Sequence, residues 1–303
     1  MNYLPVIYVN MRNTIRLNVI TLFDPWKSPL CTCRSKYSLH PYTGCSHFCK
    51  YCYATSYIGL KPSMPKKNFL NKLIRDLKRI DRNLVVEMSS SSDPYPPIEN
   101  TLLLTRRTLE ILVEHGIKIL ITTKSDIVVR DSDLLVKTPS SVMITITSLD
   151  EELVYKIEPN APPPSRRLNT IEKLVSRDIP VGVRIDPIIP GLNDDSKSIE
   201  ELIKELSCIG VKHIVTSSYK AKWDSLRRLT NTFPDKKDYL YKLYVENGVR
   251  IRNYFYLPVE LRKKLLKPVI ENAVKYGLTV ATCREGLREF FKAPSCDGQH
   301  LIK

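Results

Sequence analysis

Strand-length apolar runs alternate with stretches of helical spacing through the middle of the chain, and that alternation restricts the fold more than any other feature. The runs are residues 84–88, 117–122, 142–147, 181–187 and 211–216, each carrying Val or Ile. Interleaved with them, Phe69, Leu70, Leu73, Ile74 and Leu77 recur at helical spacing, as do Leu109, Leu112 and Val113. Further on, Ile171, Leu174 and Val175, then Ile199, Leu202, Ile203 and Leu206, repeat the pattern. Parallel strands joined by right-handed crossovers satisfy such a sequence, which predicts an α/β sheet or open barrel and argues against all-β and all-α folds. In folds of this kind the chemistry lies at the strand ends.

The chain has 303 residues, enough for one large barrel with extensions. Pro5, Pro25 and Pro29 break any long helix upstream, so residues 1–36 read as an extension of strands and loops. Residues 37–218 read as the barrel core. Residues 219–303 read as a C-terminal region packed on the barrel, helical at Trp223–Arg228, Asp238–Tyr244 and Pro258–Tyr276. No run approaches the ~18–20 apolar residues of a membrane span. Arg12 and Arg16 stand where a signal peptide keeps its apolar segment. The expectation is a soluble, cytoplasmic protein with no membrane partner.

Cys45, Cys49 and Cys52 have the spacing C-x3-C-x2-C. Three thiolates that close together can hold three irons of a four-iron cluster, leaving the fourth with no protein ligand. A closed zinc site is the competing reading. It needs a fourth Cys or His, and His47 lies too close between the ligands to be an obvious one.

With Tyr51 just before the third cysteine, the triplet resembles the signature of the radical SAM superfamily. Further blocks resemble the spore photoproduct lyase-related group of that superfamily, often labelled DNA repair photolyases. They are Asp93–Glu99, Thr105-Arg106, Ile121–Ser125, Glu158–Pro162 with Arg167-Leu168, and Pro187–Asp194. The resemblance implies a partial (β/α)6-type radical SAM barrel with an N-terminal extension and a helical C-terminal region. It implies a [4Fe-4S] cluster on Cys45, Cys49 and Cys52, and S-adenosyl-L-methionine cleaved reductively to a 5′-deoxyadenosyl radical that abstracts hydrogen from a substrate. An electron donor such as a ferredoxin or flavodoxin follows from the same chemistry.

Carried over residue by residue, Tyr51 contacts the adenine and Ser91 the methionine end, with Ser89, Ser90 and Ser92 satisfying local backbone groups. Lys124 pairs with the cofactor carboxylate or ribose, and Thr145 and Arg184 are further cofactor-binding candidates. Glu158 and Arg167 read as a loop-fixing salt bridge, and residues 190–194 as a turn. The lyases place a hydrogen-donating Cys where this chain has Ser90. An O–H bond is much stronger than an S–H bond, so the lyase reaction itself is in doubt. Tyr95 is the weak catalytic candidate in its stead, with Cys208, Cys283 and Cys296 as other possible donors.

Lys and Arg total 47 against 32 Asp and Glu, a formal charge of +15, which suits a polyanion. Basic runs lie at Lys66–Arg82, Lys220–Arg228 and Arg262–Lys267, and Tyr219, Trp223 and Phe233 beside the second could stack on bases. A nucleic-acid base is therefore the first substrate expectation. The same engine acting on a peptide or small metabolite, and a non-enzymatic iron–sulfur or zinc nucleic-acid binder, stay open. Cys31, Cys33, Cys283 and Cys296 read as a second metal site, a disulfide or plain thiols.

Overall fold

The structure is a computed structural model that describes residues 17–23 and 28–303. The expectations placed on Pro5, Arg12, Arg16 and Pro25 lie outside the described residues. One eight-stranded sheet organises the rest: β1 (Ile20–Leu22), β2 (Tyr37–Leu39), β3 (Val86–Met88), β4 (Ile119–Thr123), β5 (Ser140–Thr145), β6 (Val181–Ile188), β7 (His213–Ser218) and β8 (Thr279–Thr282), in that spatial order. β1 runs antiparallel to β2, and every later neighbour is parallel. The mainly parallel sheet, stopping at β1 on one side and β8 on the other, is a partial barrel. β3, β5 and β7 are buried at every position, as strands covered on both faces must be.

The crossover helices are those that spacing marks out. α1 (Phe69–Leu77) turns Phe69, Leu73 and Leu77 inward, four residues apart on one face. α2 (Leu104–Glu114), α3 (Pro164–Val175) and α4 (Ser196–Ile209) bury Leu109 and Leu112, Ile171 and Leu174, and Ile199, Leu202, Ile203 and Leu206. The ends of α4 show why it starts and stops. Asp195 accepts the Ser198 amide at 2.8 Å, and Gly210, at φ +100°, turns the chain out. α5 (Trp223–Thr232) and α6 (Val259–Lys275) follow β7.

Two strands lie outside the sequence reading. β2 is three residues, Tyr-Ser-Leu, too short to show a period. β8, Thr-Val-Ala-Thr, lies just past the helix read at Pro258–Tyr276, and it pairs with β7 from Thr279↔His213 to Thr282↔Thr216 and extends the sheet. β3, β4, β5 and β7 are displaced from the apolar runs by about two residues at their starts, because the hydrogen-bonded ladder, not hydropathy, sets a strand's limits, while β6 starts with its run at Val181. Among the described residues no helix is long and apolar enough to cross a membrane.

Candidate active site

Parallel pairing sends the C-terminal ends of β2 to β8 to one side of the sheet, and a cavity of about 220 Å³ opens there. Cys45, Cys49 and Cys52 line it from the loop after β2. That loop is pinned at several points. The Cys45 amide donates to the Lys61 carbonyl at 3.0 Å, the Lys50 amide to the Ile157 carbonyl at 2.8 Å, and an Arg228 N–H to the Cys52 carbonyl at 2.7 Å. Gly44 has φ +74°, and a Cβ there would stand 2.3 Å from the Pro62 carbonyl oxygen, so only glycine fits before the first cysteine.

The opposite wall is built by strand ends. β3 runs into Ser89, Ser90, Ser91, Ser92 and Asp93; β4 ends beside Lys124; β5 supplies Thr145; β6 supplies Arg184, which stands opposite Thr145 in register. All of these line the same cavity as the three cysteines. Ser89 takes φ +64°, an uncommon conformation for a residue with a side chain, and its buried hydroxyl has no hydrogen-bond partner among the described residues. Ser90 and Ser92 bond side chains rather than backbone: Ser90 meets Ser38 at 3.1 Å and Ser92 meets His40 at 3.2 Å. Arg184 pairs with Asp186, which also accepts from Ser217. Tyr95 is not among the lining residues. It is wholly buried in the main hydrophobic core, which removes it from reach of anything bound in the cavity.

Behind the triplet lies a buried polar chain. Tyr51 donates to Glu158, and Glu158 pairs with Arg167 at 2.6 Å with both side chains fully buried, the salt bridge expected from sequence. Arg167 also donates to the Thr145 carbonyl at 2.9 Å. Lys124 lies 5.7 Å from the Tyr51 ring centroid. Burial opposes the Glu158 charge, yet Arg167 and Lys124 hold its carboxyl below the usual range. Burial likewise opposes the Lys124 charge, and Glu158 holds its ammonium above the ordinary lysine value.

His47 is committed to Asp93 at 3.0 Å and to the Asn160 carbonyl at 3.2 Å, so it is no spare ligand. Asp93 further accepts from the Tyr95 and Lys124 amides and the Thr123 hydroxyl. The cysteine loop thus offers three thiols and no fourth donor of its own. Burial pushes the Cys45 thiol up to about 12 and the Cys49 thiol higher still. Among the described residues no three Cys, His, Asp or Glu side chains are gathered tightly enough to grip a single ion. Three thiols with no fourth donor from the loop suit a four-iron cluster with one open iron better than a closed zinc site, which needs four ligands.

Sequence reasoning passed over Asp186, Ser217, Tyr53 and Arg284, which also line the cavity. Asp186 sits two residues from Arg184, hence on the same strand face, a signal the alternation offered. The placement of Arg284 depends on β8, for which no signal was read.

Residues 39–206 match the family described as the Radical SAM superfamily. An uncharacterized protein of Methanocaldococcus jannaschii is 35% identical over 193 residues, covering 59% of this chain and 69% of that protein. A radical SAM Nα-GlyT isomerase of Pseudomonas phage M6 is 24% identical over 289 residues, 86% of this chain and 59% of its own length. Among solved structures, a spore photoproduct lyase variant with a dinucleoside spore photoproduct superposes with a TM-score of 0.66 over 89% of this chain and 80% of that one. At 17% identity, that likeness is one of fold.

Proposed function

This chain belongs to the radical SAM superfamily, and from that premise we propose that it binds a [4Fe-4S] cluster and S-adenosyl-L-methionine and abstracts hydrogen from a nucleic-acid base. Membership in a superfamily of enzymes makes the chain an enzyme and sets aside the reading as a non-enzymatic binder. The observation that carries the proposal is the convergence of Cys45, Cys49 and Cys52 with Ser89, Ser91 and Lys124 on one cavity at the ends of parallel strands.

In this reading Cys45, Cys49 and Cys52 hold the cluster. When bound, cluster and cofactor supply the reductive cleavage to methionine and a 5′-deoxyadenosyl radical. The protein's own part is binding and orientation. The unpartnered Ser89 hydroxyl and its neighbour Ser91 take the polar methionine end. Lys124, kept charged beside Glu158, meets the cofactor carboxylate or ribose, and Tyr51, fixed through its hydroxyl, meets the adenine. Thr145 and Arg184 complete the wall. An external donor such as a ferredoxin or flavodoxin supplies the electron.

The nucleic-acid choice draws on the cavity rim. Tyr53 and Arg284 line the cavity, with the Arg284 guanidinium 4.8 Å from the Tyr53 ring, and the buried Tyr254 backs them, edge to face with Tyr53 at 5.5 Å; the two lining groups supply flat faces suited to a base. Tyr219 lines the same cavity, with its hydroxyl bonded to Ser225 and its ring packed edge to face on Tyr244. Ser90 is tied to Ser38, and no thiol replaces it at that strand end, so the reaction need not end as the lyase reaction does.

Anaerobically reconstituted protein, given a reductant, should release 5′-deoxyadenosine, and Cys49→Ala should abolish that release; undiminished release from the variant would overturn the assignment. Deuterium passing from labelled oligonucleotide into 5′-deoxyadenosine would identify the substrate class. Transfer only from labelled peptides or metabolites would refute the base.

A further inference from the structure

Four cysteines outside the triplet come from opposite ends of the chain and line the same cavity: Cys31 and Cys33 from the segment before β2, Cys283 just past β8, and Cys296 from the last loop. We propose that Cys31, Cys33, Cys283 and Cys296 form a second metal site, mononuclear and of the tetrahedral zinc–thiolate kind, that clasps the two chain ends together at the mouth of the barrel.

The Cys33 and Cys296 sulfurs stand 3.4 Å apart. Sulfurs bound ~2.3 Å from one tetrahedral zinc stand ~3.8 Å from each other, whereas bonded disulfide sulfurs are ~2.0 Å apart. The observed separation is that of a thiol–thiol hydrogen bond, which lies close to the first value and far from the second. It is also too short for two ligands on different corners of an iron–sulfur cube. The Cys33 amide points at the Cys31 sulfur at 3.5 Å, the type of N–H···S contact that steadies a metal-bound thiolate, and it makes the short Cys31–Cys33 spacing workable. Cys33 and Cys283 both pack against the small apolar cluster that contains Cys296.

The frame around the quartet is already rigid. Lys36 pairs with Asp297 at 2.5 Å and with Glu87 at 2.7 Å, fixing the residue next to Cys296 against β3. The His213 ring meets the Cys296 carbonyl at 3.3 Å, and the Cys283 amide donates to the Thr216 carbonyl at 2.9 Å. Four thiolates on a divalent ion leave a charge of −2, and Arg284, next in the chain to Cys283 and lining the same cavity, stands where it offsets part of it. Among the described residues no three of these side chains yet enclose one point. Loading draws Cys31 and Cys283 in toward the Cys33–Cys296 pair.

The test separates this site from the triplet by using the full chain carrying Cys45→Ala, Cys49→Ala and Cys52→Ala, purified without oxygen. Elemental analysis should find about one zinc per chain. Cobalt(II) titrated into the metal-free form should give thiolate charge-transfer and tetrahedral ligand-field bands at one equivalent. Adding Cys33→Ser or Cys296→Ser should weaken cobalt binding by more than the ~10–100-fold typical of outer-shell changes, while Cys208→Ser, at an exposed position, should leave it alone. No metal bound by a chain whose circular dichroism is unchanged, iron with acid-labile sulfide, or a Cys33–Cys296 disulfide in the anaerobic protein would each overturn the proposal. Because the cobalt spectrum of the triplet-free chain itself reports sulfur ligation, the outcome does not depend on whether the serine variants fold.

Discussion

Asp76 shows how a single carboxylate can fix a strand. Buried on α1, it accepts the amides of Asn18, Val19 and Ile20 at 2.7–3.0 Å and so holds the start of β1. Burial opposes its charge, but those amides keep its pKa below the ordinary 3.8. Its stabilisation is therefore fully present above pH 3.8 and fades as pH falls below that value toward the depressed one. Asp76→Ala strands three donors and should cost about 2–3 kcal/mol near neutral pH, with the gap to the parent narrowing in acid. Urea denaturation at pH 6 and pH 3 measures the difference, and an equal gap at both would refute the linkage. At this scale the sequence was partly legible. The spacing of Cys45, Cys49 and Cys52 and the Glu158–Arg167 pair could be read, because each lies within a short stretch. Asp76 could not, since its partners are more than fifty positions away.

Among elements, the joint between the barrel and its C-terminal region rests on Glu285. Its buried carboxylate accepts the Ser218 amide at the end of β7, pairs with Lys220 at 2.9 Å, and meets Arg262 of α6 at 3.2 Å. Two buried cations thus share one acid inside the fold. Glu285→Ala leaves both buried without it and should destabilise the protein by about 3–5 kcal/mol, whereas the same change at the exposed Glu260 should be nearly silent. Thermal unfolding compares the two; equal melting temperatures would show that the joint is held elsewhere. Alternation made the central strands and α1 to α4 visible, because each buries a periodic face. The same signal could not show β8, which is made of Thr, Val and Ala and owes its state to the edge of β7. Nor could it show that Lys220, Arg228 and Arg262, read as surface charge, turn inward to Glu285 and the Cys52 carbonyl.

For the molecule as a whole, that inward turn decides where the +15 excess can act. Lys36, Arg167, Lys220 and Arg262 are buried against carboxylates, and Lys263, Lys267 and Lys275 pair with glutamates at the surface. Lys67, Arg75, Lys78 and Arg82, on and around α1, are exposed on the outer surface. A polyanion would gain most there, through counterion release rather than base contacts. If a single-stranded substrate engages about four phosphates on this surface, the logarithm of its affinity should fall against the logarithm of salt with a slope of about −3. Changing all four residues to Gln should flatten the slope toward zero between ~50 and ~200 mM salt while 5′-deoxyadenosine release without substrate stays as it was. Fluorescence anisotropy of a labelled oligonucleotide reads the slope. A slope that is steep but indifferent to the four substitutions would move the contact to another face, and binding indifferent to salt would detach the charge from the substrate altogether.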